Sequence, residues 1–480
     1  MENSPLAAER HPRPILTPWI DRGLWAITAL AIATRFVALE QHPVGFWLDE
    51  YLAGLHLGCM SEAGQSGHGV KWPLFVPGAG GGFYTPVFLY FGMLWIKVFG
   101  LSIASTRALA AFFVSLTIAG LFMLARQLGG RRLAFWATVL ASLSPWSFHF
   151  SRIAWDPPMA PAFVVWFTYF WIHRRPLFGG ALAGVCFAAA LYSYPPARVQ
   201  TPLLFLVLLA LTRRNAVRLW PRLAIFLVVS GLLAVPLLQL MLTDDFMGRS
   251  QSLAIFSHEY LDQHRGHSNA VMAFLRILAD NFAIHLRPSF LFFTGDPNIR
   301  HSTQFMGEFG LLDDLALAAG AVLVLRRIRG ANENAAQGFP VVVLLAVSGI
   351  LLGLLPAALT WEGLPHALRA IGAWPFFSLL GAAALVAAEK RWPAVLSLGL
   401  ATACVHCGLF AWLYFHEYPR IAGEAMYAPL RESLDNLDRL TPEERSQFAR
   451  ENPDALRFYM MRNRRYGCLE SEEVRKSWIR

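Results

Sequence analysis

Two adjacent acids, Asp49 and Glu50, stand in the stretch Gly45-Phe46-Trp47-Leu48-Asp49-Glu50-Tyr51, a few residues beyond a long apolar run. A carboxylate held close to an apolar phase has its pKa raised and can act as a general base toward a hydroxyl. Acids at such an edge are also often just solvated. A third acid, Asp156, lies in Ser151-Arg152-Ile153-Ala154-Trp155-Asp156-Pro157-Pro158. The proline pair stops a helix and fixes a turn that can carry Asp156 and Arg152 next to the first loop. The same residues read equally well as Asp156 capping the next helix, with Pro at its first position.

Cations complete the set. Arg198 follows Tyr192-Ser193-Tyr194-Pro195-Pro196, Arg300 and His301 follow Asp296-Pro297-Asn298, His366 and Arg369 share Pro365-His366-Ala367-Leu368-Arg369, and Lys71 precedes Trp72-Pro73. A single arginine at a membrane surface usually snorkels or meets a lipid phosphate, and a lone loop lysine is usually solvated. Together with acids on one face they point to a pocket for a phosphate on a lipidic group, because guanidinium forks match phosphate oxygens. Cys404-Val405-His406-Cys407 lies inside an apolar run with no second pair and reads as packing, and no zinc spacing occurs. Cys59 and Cys468 can pair if both face an oxidising compartment. The glycines between 78 and 82 read as a hinge; a phosphate nest would lack its following lysine. No nucleotide-binding glycine loop is present.

The elements that must position these groups are membrane spans. Of 480 residues, 55% are hydrophobic and 15% charged, against about 25% charged in soluble domains. Disorder is excluded and an all-α polytopic membrane protein expected. Candidate spans are 20–39, 104–125, 133–150, 158–173, 177–193, 199–212, 222–242, 308–325, 339–359, 369–388 and 394–414. The first lacks a small-residue cleavage site and is expected to be retained. A further apolar segment, 83–99, decides the topology. Arg126, Arg131 and Arg132; Arg174 and Arg175; Arg213, Arg214, Arg218 and Arg222; Arg326, Arg327 and Arg329; and Lys390 with Arg391 share a side with Arg10, Arg13 and Arg22 only if 83–99 does not cross. It is expected to lie along the outer interface. The result is eleven spans, an inner N-terminus, an outer C-terminus, and outward loops 40–103 and 243–307 with turns 151–157, 194–198 and 360–368. Two long loops on one face mark it as the working side.

The formal net charge of +9 would suggest nucleic acid in a soluble protein. Here the inner segments hold the basic excess, so the charge signals orientation and no nucleic-acid partner is expected. The tail, 415–480, is densely charged and neutral overall. Thr441-Pro442-Glu443-Glu444 reads as a capping box and Asn452-Pro453-Asp454 as a second helix start ending near Gly467. The tail is therefore expected as a small helical unit on the outer face, beside a transmembrane domain 1–414.

With Asp49-Glu50 after the first span, Phe83-Tyr84-Thr85-Pro86 opening the interfacial helix, Arg107 entering the second span and Ile153-Ala154-Trp155-Asp156-Pro157 after the third, the chain resembles the type-C glycosyltransferase superfamily. The resemblance is to the bacterial branch related to protein O-mannosyltransferases and the lipid A aminoarabinose transferase, and covers about residues 20 to 230. It implies transfer of a sugar from a polyprenyl-phosphate carrier to a lipid, polysaccharide or protein acceptor on the outer side of a bacterial inner membrane. Asp49 would then be the general base, Glu50 its neighbour, and Asp156 would shape the acceptor or sugar site, with inversion in one displacement. Where aminoarabinose transferases carry Glu-Lys-Pro, this chain has Tyr84-Thr85-Pro86, so Arg198, Arg300, His301 or Arg369 would meet the phosphate. No cofactor is implied, and no metal is required if arginines neutralise that phosphate. A transporter or lipid flippase is the alternative; it would place ionisable residues mid-membrane in repeated broken helices. A catalytically inactive scaffold is a third reading.

Overall fold

The computed structural model describes residues 17–78, 82–213, 216–242, 252–264, 266, 269–328, 339–464 and 467–468. Arg10, Arg13, Arg214, Arg329 and most of the glycine run at 78–82 lie outside them. The described chain is helical, with one two-stranded antiparallel ribbon that pairs Val76 with Tyr84 and Pro77 with Phe83. Among the described residues, five helices are long and apolar enough to cross a membrane: Ile103–Leu143, Val217–Met241, Pro340–Ala358, Ala367–Arg391 and Val395–Ala422. Pro86–Phe99, Met159–Trp171, Pro176–Leu191 and Ala197–Thr212 are shorter apolar helices. The protein is an integral membrane protein of apolar helices.

Most expected spans appear as helices with trimmed ends, and the punctuation is local chemistry. Ile103–Leu143 covers two expected spans and breaks at Gly130, whose φ of 81° favours glycine. The span expected at 133–150 is divided at Ser144, where Pro145 opens a separate short helix to Phe150. The first helix ends at Thr34 rather than 39.

The described residues form two compact units. The larger draws on Met1–Thr34, Val114–His149 and Ala160–Leu413; the smaller draws on Arg35–Phe113, Phe150–Met159 and Tyr414–Arg480. In the larger unit Pro176–Leu191 packs on Ala216–Met241, and Trp374–Arg391 packs on both Leu311–Ile328 and Phe339–Ala358. At one end Arg132 bridges Asp21 (2.7 Å) and Glu389 (2.5 Å), and the Trp136 indole donates to Glu389 (3.0 Å). Three residues expected on the inner face thus meet in one ion cluster.

In the smaller unit helix Leu48–Ala63 packs between Pro86–Phe99 and Pro453–Arg462. Gly54 permits the second contact, since a Cβ there would come within 2.3 Å of the Phe458 ring. A disulfide joins Cys59 to Cys468, so the pairing left open by the sequence is made. The expected capping box is present: Thr441 Oγ1 accepts from Glu444 N (3.3 Å), and Glu444 accepts from Thr441 N (2.8 Å). The next helix, Pro453–Arg462, stops five residues before Gly467.

Candidate functional site

In the smaller unit the two acids expected to do chemistry have different fates. Glu50 is fully buried and is gripped by Arg107, whose Nε donates to Oε1 (2.8 Å) and Nη2 to Oε2 (2.9 Å). Arg107 spends its remaining donors on the carbonyls of Leu39, Pro43 and Gly45. Glu50 also accepts from Ala154 N (2.8 Å) and Trp47 N (3.3 Å). A bidentate carboxylate in this state has no lone pair left for a proton in transit. Its effect is to tie three chain segments together: the start of helix Leu48–Ala63, the helix of Arg107, and the Ile153-Ala154-Trp155 turn.

Asp49, one residue earlier in that first helical turn, is half-buried, as is Asp156. Both lie near the Tyr84 phenol. Tyr84 is buried and donates its hydroxyl to the Asp49 carbonyl (2.7 Å). Burial, with the charges of Asp49, Asp156, Asp454 and Glu50, pushes its pKa well above the ordinary tyrosine value, so it stays a donor. The turn of Asp156 is closed by Met159 N donating to the Asp156 carbonyl (3.0 Å), and Trp155 meets Trp47 edge to face at 6.3 Å. Asp49 and Asp156 therefore share the surroundings of one phenol. Tyr84 was quoted in the sequence as part of a helix start, with no sign that it would join the acids.

Arg152 is committed to the chain that follows the first helix. It is fully buried, with Nη1 donating to the Arg35 carbonyl (3.1 Å) and Nη2 to those of Val37 (2.8 Å), Ala38 (3.3 Å) and His42 (3.1 Å). Its outer donors are taken by the loop after the first helix, so it clamps that loop. Lys71 is exposed.

The other expected cations belong to the larger unit. Arg369 donates to Thr360 Oγ1 (2.9 Å) and to the Glu362 carbonyl (2.9 Å), and pairs with the Glu362 carboxylate (3.0 Å). That pair is partly exposed. Arg198 and Arg300 are half-buried; Arg198 Nε donates to the Leu191 carbonyl (3.1 Å), and the Arg300 carbonyl lies 2.9 Å from His149 Nε2. His301 and His366 come together with Asp296, a residue the sequence offered only as the lead-in to Arg300. Asp296 Oδ2 meets His301 Nδ1 (2.9 Å) and accepts from Ala367 N (2.7 Å), while Oδ1 accepts from Asn298 N (2.7 Å). The two imidazoles lie 4.8 Å apart, centroid to centroid. His285 Nε2 accepts the backbone N–H of His366 (3.0 Å). Burial, reinforced by His301, Arg369 and His285, lowers the His366 pKa well below the ordinary imidazole value.

The chain can be compared with known proteins on this geometry. No protein-family model and no curated protein matches its sequence. Among solved structures it is similar to ArnT, the lipid A aminoarabinose transferase, from Cupriavidus metallidurans bound to undecaprenyl phosphate. That match has 16% identity over 93% of this chain and 75% of that one, with a TM-score of 0.51. The apo form of the same protein matches at 16% identity over 94% and 75% of the two chains, with a TM-score of 0.50. It is also similar to an Archaeoglobus fulgidus oligosaccharyltransferase tethered to an acceptor peptide, at 13% identity over 92% of this chain and 59% of that one, with a TM-score of 0.50. The chain shares its fold with these proteins.

Proposed function

We propose that the protein is a membrane glycosyltransferase that moves a sugar from a polyprenyl-phosphate carrier to an acceptor hydroxyl, with Asp49 as general base. The observation that carries this reading is the half-buried pair Asp49 and Asp156 around the Tyr84 phenol, held by the Glu50–Arg107–Ala154 hub. The shared fold and the undecaprenyl phosphate bound by ArnT support a lipid-phosphate donor. Asp49 takes the acceptor proton as the acceptor oxygen attacks the anomeric carbon. The carrier phosphate departs from the opposite face, and the anomeric centre inverts. Asp156 orients the acceptor or sugar hydroxyls, and Tyr84 fixes the backbone from which Asp49 projects. Neutralisation of the departing phosphate by arginine side chains supplies the rest of the catalysis in this reading.

The same reading includes eleven spans, an interfacial helix at 83–99, a cytoplasmic N-terminus, and a working face and C-terminal segment 415–480 outside a bacterial inner membrane. Clustering of Asp21, Arg132 and Glu389 at one end favours that parity. A membrane-impermeant thiol reagent should label Val70→Cys in intact cells and Trp220→Cys only after permeabilisation; the reverse pattern would invert the topology.

The function is tested with purified protein in vesicles given a radiolabelled polyprenyl-phosphate sugar. Asp49→Asn should lose transfer while eluting and melting as the parent does. Full activity in that variant would remove Asp49 as the base, and donor movement across the bilayer without bond cleavage by the parent protein would favour a flippase.

A further inference from the structure

Asp296, His301 and His366 offer three ligand atoms that all lie within 4.8 Å of one another. They come from two separate segments of the larger unit, the loop at 294–304 and the turn at 360–366. Asp296 and His301 are buried. We propose that this cluster is a binding site for a divalent first-row transition-metal ion of the zinc class.

The donor set selects that class. Two imidazole nitrogens and one carboxylate oxygen suit zinc, cobalt or manganese, whereas magnesium and calcium prefer oxygen-only shells. Donors bound about 2.1 Å from a tetrahedral ion stand about 3.4 Å from each other. Asp296 Oδ2 and His301 Nδ1, now 2.9 Å apart, need to open only slightly, and the His366 ring closes the remainder. The ion takes the place of the proton these two atoms share, and that proton leaves to solvent.

The surroundings hold the donors from outside, as metal sites require. Asn298 N and Ala367 N fix the two oxygens of Asp296. Its carbonyl accepts from Ser302 Oγ (2.9 Å) and Gln304 Nε2 (2.6 Å), which sets the loop. His285 holds the backbone of His366, and its own Nδ1 lies 2.7 Å from the Asn281 carbonyl, so Nδ1 carries the hydrogen and Nε2 accepts. The Trp146 indole donates to the Ala367 carbonyl (3.2 Å) and holds the residue after His366. Three protein ligands leave a fourth position for water or a substrate oxygen, the arrangement of catalytic rather than closed structural sites. The binding site stands on these contacts alone and does not depend on the sugar-transfer reading.

The test uses full-length protein in detergent, stripped with a chelator and dialysed against ZnCl2, with metal content read by mass spectrometry after desalting. One zinc ion per chain is expected to be retained, and substitution with Co2+ should give the visible ligand-field absorption of a tetrahedral nitrogen and oxygen site. His301→Ala and His366→Ala should each weaken retention at least about tenfold. His366→Gln, which keeps size and polarity, covers the case in which the alanine variants fail to fold. Zinc should raise the melting temperature of the parent and not of the variants. Parent protein that retains no zinc, or a folded His301→Ala/His366→Ala double variant that retains it unchanged, would overturn the site and leave Asp296 and His301 as a hydrogen-bonded pair.

Discussion

The two units each bury a carboxylate, Glu50 in one and Asp296 in the other, and they neutralise it in opposite ways. Glu50 faces a guanidinium that meets it through two nitrogens, so its charge is cancelled by a fixed partner. Asp296 has two backbone N–H groups and an imidazole, and among the described residues no lysine or arginine pairs with it. A charge cancelled by arginine is committed to structure, because removing either partner strands the other in a low-dielectric interior. A charge held by backbone dipoles and an imidazole remains open to a cation. The proposed chemistry of the smaller unit therefore falls on the half-exposed neighbours of its hub, and the proposed metal binding of the larger unit on its buried cluster.

Substitutions at the residues of both units test this contrast. The largest effect is expected at Asp49: Asp49→Asn should lower transfer by about 10²- to 10⁴-fold, the range for loss of a general base. Its stability should stay near that of the parent. A change in melting temperature in step with the activity loss would move Asp49 from chemistry to framework. Next, Arg107→Met should destabilise the fold by about 3–5 kcal/mol, since it leaves Glu50 buried without a counter-charge. Thermal unfolding in detergent reads this, and an unaffected midpoint would remove the hub from the account. Replacing both cysteines, Cys59→Ser with Cys468→Ser, should cost about 2–4 kcal/mol, read as a lower midpoint that matches the reduced parent protein. Tyr84→Phe removes one buried hydrogen bond and should cost about 1 kcal/mol while reducing activity through the placement of Asp49. Finally, Arg369→Ala breaks a pair whose Glu362 partner is 51% exposed, and should change stability by less than about 1 kcal/mol. A cost at Arg369 equal to that at Arg107 would erase the distinction between the units.

Much of the helix plan was legible in the sequence because its signals are local. Apolar length and the Thr441-Pro442 cap act within a few residues of themselves, whereas the expected span 133–150 ran through Pro145, where the structure starts a separate helix. Helix Leu48–Ala63 escaped notice for a physical reason. All of Glu50 to Met60 is buried, so no polar face interrupts the apolar one and the helical period is invisible. The helices at His258–His264 and Ala270–His285 lie within what was read as a long loop. The roles of the charged residues were less legible. Arg369 was expected to meet phosphate and is engaged by Thr360 and Glu362, while Arg152 is engaged by backbone carbonyls.

Apolar length alone determined that the chain is built of apolar helices, and the Pro157-Pro158 pair that Asp156 sits beside a turn. These follow from hydrophobic transfer and from backbone restrictions at proline, which need no distant partner. Tertiary structure alone decided that Glu50 belongs to Arg107, 57 positions away, that Cys59 joins Cys468, and that Asp296 gathers His301 and His366. The value of a charge or a thiol is set by which groups share its desolvated surroundings. In this chain those groups come from segments far apart in sequence.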